Sequence, residues 1–449
     1  MAAAANRQGT GTVPVPCPPA RRAGTPPVKE KLMHTADSSR ALLILVLICT
    51  AYLLIPFHRM TPSIMSAAIM SETGMGPVMI GFLSSILFLT FGIMQMVCGL
   101  LVDSYGPRRI LPCFLLAAAA GTALFALSTS APGLLLGRAA IGFGTSVIFI
   151  AGLKLFNAWF PPTIYARLNG LLLGMGGLGL VIGSGGMGYL CDSLGWRTSH
   201  LVVASITLCF ALALGVTVRD TPAHASRPGP AGRAGAVPPA VLGHILRNRQ
   251  FLFIAGWFCC QFSLHNAFGG LWGGQYLRAV HHLDTVTTGN VLNMLGMGTL
   301  LGALANAWLC DRVFRTPRTM MPIAAAMYVL LFAVLIFRGA GFSIPVLCVW
   351  FFLLAFFGMG SLSAGFACMP GIFGSALLGT ASGLLNTLPS LLVLILQPLT
   401  GLILARCGDA GGSFGPQDYA VALSLYLGLS VVSLLCALAA WGRPGRRES

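Results

Sequence analysis

Long apolar segments follow one another along most of this 449-residue chain, and they constrain its fold more than any other feature. Only 8% of the residues are charged, against about 25% in an ordinary soluble domain. Segments such as 41–56 and 111–127 are apolar on every helical face, whereas the strands of a membrane barrel alternate polar and apolar residues. An apolar helix needs about 20 residues to cross a bilayer. We therefore predict an all-α membrane protein with twelve transmembrane helices.

Polar interruptions set the boundaries of the predicted spans. The longest interruption, 219–249, is rich in Pro, Gly and Arg, which is typical of a flexible linker, and we expect it to be cytoplasmic. It separates a six-helix half over 41–218 from a second six-helix half over 250–441. The spans are predicted at 41–70, 77–101, 110–129, 133–158, 167–190, 197–218, 250–278, 286–309, 319–338, 342–368, 375–405 and 418–441.

Both ends of the chain are predicted to be cytoplasmic tails, over 1–40 and 442–449. The first is rich in Ala, Pro and Arg and has no apolar segment of a signal peptide, so we expect it to be disordered. Met33 is an alternative start, because the apolar pattern begins only after Arg40.

The two halves look like repeats of each other. Asp103 follows the second span and Asp311 follows the eighth, an offset of 208 residues, and Gly170 in the fifth span corresponds to Gly383 in the eleventh. Two six-helix repeats joined by a central loop are the plan of a secondary transporter, in which substrate binds between the halves near the middle of the bilayer.

Lysine and arginine follow the predicted topology. Of the 27 basic residues, 20 lie in segments predicted to be cytoplasmic and four in the outer loops, which is a strong positive-inside bias. The net charge of +16 therefore indicates topology, and we expect no nucleic-acid partner. The predicted location is the bacterial inner membrane, spanned many times by a monomer that contacts the lipid bilayer.

Two motifs resemble those of the major facilitator superfamily. The run Gly99-Leu-Leu-Val-Asp103-Ser-Tyr-Gly106-Pro-Arg108-Arg109 is similar to that superfamily's loop between helices 2 and 3. The run Arg138-Ala-Ala-Ile-Gly142-Phe-Gly144 is similar to its helix 4 motif. The resemblance covers 41–441 and implies a conformational role for these residues and for the second copy of the loop, Asp311 and Arg312. Independently of the family, Asp103 is expected to pair with Arg108 or Arg109.

Three basic side chains, Arg59, Arg138 and Lys154, lie inside predicted spans. Each costs about 2.5 to 3.5 kcal/mol at mid-span, and all eleven acidic residues fall in tails, loops or span ends. An anionic ligand is the simplest partner for Arg59 and Lys154, although both side chains also have the length to reach the lipid headgroups. We expect a structural role for Arg138.

Segments 57–62 and 153–162 resemble permeases grouped with sugar-phosphate and organophosphate:phosphate antiporters. This resemblance implies that Arg59 grips the anion from helix 1 and that Lys154 stands at a substrate-contacting position of helix 4. In span 7 the chain has His265 and Asn266 where those antiporters place a second arginine, which leaves room for a carboxylate or a sulfonate. His265 is equally well interpreted as a ligand or as a structural histidine.

The spans contain no pattern typical of an enzyme, a metal site or a cofactor site. The predicted function is therefore a secondary active transporter that moves a small organic anion by alternating access. A proton-coupled multidrug exporter and a transporter-like anion sensor remain alternatives. The direction of transport and the energy source are left open.

The charge asymmetry makes a prediction about topology. Reporter fusions at Pro230 and after Arg443 should both report a cytoplasmic location, because basic segments resist translocation. Periplasmic reporter activity at either position would contradict the twelve-span arrangement.

Overall fold

The computed structural model describes residues 35–220, 239–314, 316–408 and 414–441, and all regular structure within these ranges is helical. The α-helices are α1 (Thr35–Tyr52), α2 (Leu54–Thr73), α3 (Pro77–Tyr105), α4 (Pro107–Leu127), α5 (Ala131–Thr145), α6 (Val147–Trp159), α7 (Pro162–Val181), α8 (Met187–Thr217), α9 (Pro239–Arg247), α10 (Arg249–Ala267), α11 (Gly273–His281), α12 (Thr285–Trp308), α13 (Met320–Arg338), α14 (Ile344–Phe357), α15 (Ser363–Cys368), α16 (Pro370–Cys407) and α17 (Pro416–Trp441). Short π-helical turns, Ile182–Gly186, Phe268–Trp272 and Leu309–Phe314, join or extend several of them.

Within the part of the chain that the structure describes, ten segments are long and apolar enough to cross a membrane. The 48-residue segment Gly170–Thr217 has a break at Gly195, where φ is +74°, and therefore contains two spans. Helix α12 is a further helix of 24 residues, and it is not one of these ten segments. The chain is an all-α membrane protein, and these helices are consistent with the predicted twelve.

Two predicted boundaries differ from the structure. Helix α1 begins at Thr35, inside the predicted disordered tail, because a helix satisfies its own backbone hydrogen bonds and can continue past its apolar part. Helix α9 lies inside the predicted flexible linker. Pro239 suits the first turn of a helix, and Ile245 buries its side chain completely. Residues 1–34, 221–238 and 442–449 lie outside the described residues.

The two halves meet closely at one end of the bundle. We call the end with Gly106, Phe160 and α9 the linker end and the opposite end, with Gly74 and Gly195, the far end. At the far end α3 and α16 run antiparallel in close contact. A Cβ atom added to Gly81 would lie 2.6 Å from the backbone oxygen of Gln397, and one on Gly92 would lie 2.7 Å from the Cβ of Ser390.

The second contact between the halves joins the region of Ile182–Gly186 to α12. A Cβ on Gly296 would lie 2.7 Å from the backbone oxygen of Gly177. The side-chain oxygen of Asn293 accepts hydrogen bonds from the Ser184 hydroxyl and from the Gly185 N–H, each at 2.8 Å. Small residues permit this close approach of helix backbones in lipid.

Helix α2 also connects the halves at the far end. The Ser63 hydroxyl donates to the carbonyl of Leu271 at 3.2 Å and accepts from the N–H of Gly274 at 3.0 Å. Arg278 donates to the carbonyl of Ile64 at 3.2 Å. A Cβ on Gly183 would lie 2.8 Å from the Cα of Phe57. Helix α2 therefore packs between the two π-helical turns at 182–186 and 268–272.

Toward the linker end the halves diverge. The register of α3 against α16 would place Gly99 opposite Gly383, yet a Cβ on either residue would meet nothing within 4 Å. Two hydrophobic clusters follow the same division. One joins the second half to far-end residues of the first half, and the other contains only residues of the first half, most of them near the linker end. The molecule is closed at the far end and open toward the linker end.

These packing differences predict opposite responses to added methyl groups. Gly296→Ala should lower the free energy of unfolding by about 1 to 3 kcal/mol, because backbone atoms occupy the space of the new Cβ. Gly383→Ala is the matched control and should leave stability unchanged or raise it, since alanine favours a helix. Thermal unfolding of the purified variants in detergent measures both. Equal losses in the two variants would show that the backbone contact at Gly296 is not tighter than the interface around Gly383.

Candidate functional site

A cavity of about 300 Å³ lies between the two halves. The first half contributes side chains from α1, α2, α3, α6 and α7, and the second half contributes side chains from α10, α12, α15 and α16. Its walls are predominantly apolar, with polar groups at separate points. This position between two halves is that of the binding site in transporters built from repeats.

Arg59 of α2 projects its guanidinium group into this cavity. The guanidinium carbon lies 4.5 Å from the ring centre of Phe91, 5.5 Å from that of Phe88 and 5.9 Å from that of Phe262. Its Nε is buried without a hydrogen-bond partner among the described residues. Ring faces attract a cation through their quadrupoles, so they stabilise this charge without neutralising it. Arg59 is thus available to a negatively charged ligand.

His265 and Asn266 of α10 line the cavity from the second half. The His265 side chain is 1% exposed, and neither ring nitrogen has a partner among the described residues. Asn266 donates from its side-chain amide to the carbonyl of Phe262 at 2.8 Å, which fixes the orientation of the amide. The structure therefore brings Arg59, His265 and Asn266 to one cavity.

Lys154 lies outside this cavity, near the linker end. Its ammonium group is 2.9 Å from a carboxylate oxygen of Asp103 and donates to the carbonyl of Val102 at 2.6 Å. The side chains of Lys154 and Asp103 are 36% and 52% exposed. The structure therefore does not bring Lys154 together with Arg59. It also differs from the pairing expected for Asp103, whose carboxylate contacts Lys154 rather than Arg108 or Arg109.

The loop motif contacts the start of the linker. Asp220 accepts a hydrogen bond from the N–H of Arg108 at 2.8 Å, at the beginning of α4, where free N–H groups favour a carboxylate. Gly106 has a φ of +82°, and a Cβ there would lie 2.6 Å from the Asp220 carboxylate. Glycine is thus required both by the turn and by the contact. The side chains of Arg108 and Arg109 are exposed.

The helix 4 motif lies inside the first half. Arg138 is 1% exposed and donates to the carbonyls of His58 at 3.0 Å and Leu83 at 3.4 Å. A Cβ on Gly142 would collide with Leu87 and Thr90 of α3. These contacts join α2, α3 and α5, which supports a structural role for Arg138.

The second copy of the loop is described only in part. Arg312 is exposed on the π-helical turn Leu309–Phe314, and the side chain of Asp311 lies outside the described residues. The role expected for this pair stays a prediction. Among the described residues, no three His, Cys, Asp or Glu side chains are grouped in a way that would hold a metal ion.

The aromatic side chains around Arg59 were not predicted from the sequence. Phe88, Phe91 and Gln95 are spaced three and four residues apart on α3, which places them on one helical face. On α10, Phe262 is likewise three or four residues from Phe258, His265 and Asn266, so these residues share one helical face. This spacing could have predicted that the aromatic residues line the same cavity. Aromatic residues in an apolar helix are, however, more often buried against other helices.

Comparison with known proteins identifies the family. Residues 48–398 match the family model described as Major Facilitator Superfamily. The match covers more than half of the chain, so the chain belongs to this superfamily of membrane transporters, and the family is one of transporters rather than enzymes.

Two relatives share the family at low identity. The probable sulfoacetate transporter SauU of Cupriavidus necator is 23% identical over 380 residues, which cover 82% of this chain and 88% of the relative. The membrane sensor protein UhpC of Salmonella typhimurium is 25% identical over 312 residues, which cover 64% of this chain and 68% of the relative.

A solved structure agrees with the fold. A bacterial homolog of the human lysosomal transporter Spinster, in an inward-facing and unoccupied conformation, matches with a TM-score of 0.70 and 17% identity. The alignment covers 91% of this chain and 96% of that chain. At this identity the likeness concerns the fold alone.

The position of Lys154 predicts that it contributes to stability and not to ligand affinity. Lys154→Gln should lower the free energy of unfolding by about 0.2 to 1 kcal/mol, the range for a partly exposed ion pair. A double-mutant cycle with Asp103→Asn should assign that loss to the pair. Anion affinity of Lys154→Gln should stay within about twofold of wild type, since no cavity contact is removed. A large loss of anion affinity in this variant would return Lys154 to the binding site.

Proposed function

We propose that this protein is a secondary transporter that moves a small organic anion across the bacterial inner membrane. The observation that carries the proposal is the guanidinium group of Arg59 in a cavity between the halves. Among the lining residues that the structure describes, there is no Asp or Glu to neutralise it. A guanidinium group offers a planar set of donors that suits carboxylate, sulfonate and phosphate groups.

The same charge distribution argues against a multidrug exporter of cationic compounds. A cation in the cavity would lie near the positive charge of Arg59 in a medium of low dielectric constant, where like charges repel strongly. The described walls provide no carboxylate to compensate for this repulsion. Anions are therefore favoured over cations by electrostatics alone.

Alternating access is supported by the unequal packing of the two ends. The glycine contacts of α3 with α16 are tight at the far end and absent around Gly99 and Gly383. A rocking motion of one half against the other would close the linker end, where small residues already face open space, and would separate the far-end contacts. Arg59 lies between these two regions and would be exposed to each side in turn.

The relatives support an anionic substrate. SauU is named as a probable transporter of sulfoacetate, a small organic anion, and the alignment covers most of both chains. UhpC is a membrane sensor, so an anion sensor is a second candidate function. The two functions share a binding site and differ in whether bound anion crosses the membrane.

Substitution of Arg59 tests the anion site. Arg59→Gln should weaken anion binding about 10- to 150-fold, because it removes a charge-assisted contact worth about 1.5 to 3 kcal/mol. Arg338→Gln is the matched control, since Arg338 is exposed at the end of α13, outside the cavity. Affinities of purified protein for sulfoacetate, phenylacetate and gluconate should be measured after monodispersity is confirmed. Wild-type affinity for every bound anion in Arg59→Gln would contradict the proposal.

Flux measurements separate the transporter from the sensor. Proteoliposomes loaded with unlabelled anion should take up the labelled form of any anion that binds, and Arg59→Gln should reduce this uptake. Binding without uptake in either orientation would favour the sensor and contradict transport.

A further inference from the structure

We infer that the preferred substrate is a small acid with a single negative charge on an apolar or aromatic body. The inference rests on the proposed anion transport and specifies the substrate class of the same cavity. Three properties of the cavity carry it: the number of charges in its walls, the arrangement of its rings and its size.

The charge on the described cavity walls suits a ligand with one negative charge. Arg59 is the one permanently charged side chain among the described lining residues, and His265 is the one histidine. A phosphate ester carries a charge of about −1.5 to −2 at neutral pH, so a single guanidinium would leave excess negative charge in an apolar cavity. A carboxylate or a sulfonate carries a charge that one guanidinium balances, in the planar geometry that both groups share.

The rings surround the place where the body of such an acid would lie. Six lining residues are aromatic: Tyr52, Phe91 and Phe149 from the first half and Phe258, Phe262 and Phe366 from the second. Phe91 and Phe262 face the Arg59 guanidinium from opposite halves. A group attached to an anion bound at Arg59 would therefore contact ring surfaces on both sides.

The rings also disfavour a heavily hydroxylated body. Each hydroxyl that leaves water needs a hydrogen-bond partner, and an unmet one is costly in an apolar site. The described polar side chains of the cavity, such as Gln95, Asn386 and Ser390, are fewer than the apolar and aromatic ones. They are distributed over both halves within a mainly apolar wall, so a body with many hydroxyls would place some of these hydroxyls against apolar or aromatic surface.

The cavity volume limits the size of the body. Pockets that hold drug-sized ligands range from about 300 to 1,000 Å³, and this cavity, of about 300 Å³, is at the lower limit. A single ring with a short acidic side chain is therefore of suitable size. Phenylacetate has this chemistry and serves as the probe.

Titration of the protein with each of four matched probes tests the inference. Purified full-length protein should be titrated with phenylacetate, acetate, gluconate and glucose 6-phosphate at pH 8 and constant ionic strength, where an imidazole of ordinary pKa, about 6.5, is neutral. Phenylacetate should bind at least about tenfold more tightly than each of the others, because only it buries an apolar aromatic ring. Its affinity should also fall in Arg59→Gln.

Two results would overturn the inference in distinguishable ways. Tighter or equal binding of gluconate or glucose 6-phosphate, lost in Arg59→Gln, would reject the substrate class while leaving the anion site in place. Absence of any probe binding that depends on Arg59 would reject the anion site and the substrate class together.

Ring substitutions provide a measurement that a purely structural role would not move. Phe262→Leu should lower the ratio of phenylacetate affinity to gluconate affinity by about three- to tenfold, because a ring contact is lost at the site. Phe337→Leu is the control, since Phe337 is 78% exposed on the surface of α13. If Phe262→Leu is poorly folded, Phe91→Leu replaces it. An unchanged ratio in the folded variant would reject the role of the rings in selectivity.

Discussion

Close contact between helix backbones at the far end determines the shape of the rest of the molecule. Two membrane helices gain little from burying apolar side chains against each other, because lipid is equally apolar, so association depends on close packing and hydrogen bonds. Glycines at 81, 92, 177 and 296 provide the close approach, and Asn293 provides hydrogen bonds across it. With the halves fixed at one end, their divergence toward the other end creates the cavity and its opening.

Arg59 is held in this cavity by an arrangement that suits a transporter. A carboxylate partner would stabilise the guanidinium more strongly than rings do, but it would also compete with every anionic ligand. Phe88, Phe91 and Phe262 provide a weaker attraction that ligand need not displace. Two of these rings belong to the first half and one to the second. In the rocking motion that we propose, the environment of the charge would therefore change, which would connect ligand binding with the conformational change.

Much of this architecture was readable from the sequence because it depends on local composition. Hydropathy and the distribution of Arg and Lys indicated the spans, and the scarcity of acidic residues within them identified Arg59 as an unpaired cation. The sequence did not indicate that Asp103 is the partner of Lys154. Asp103 is 51 positions away on a different helix, and whether the two side chains meet depends on the relative rotation and axial offset of α3 and α6. Helix α9 was missed for a related reason, since its short apolar face is surrounded by residues typical of a linker.

The contacts around Asp103 and Asp220 connect parts of the first half, as a rocking motion of the kind we propose would require. Lys154 of α6 contacts Asp103 at the end of α3, while Asp220 accepts a hydrogen bond from the beginning of α4. These bonds connect the linker ends of three helices and attach the first residues of the linker to the same half. Arg138 has the corresponding effect deeper in the half, where it joins α2, α3 and α5. In the transport cycle that we propose, a half connected at both levels would transmit a displacement at Arg59 to the open interface between Gly99 and Gly383, instead of absorbing it by local rearrangement.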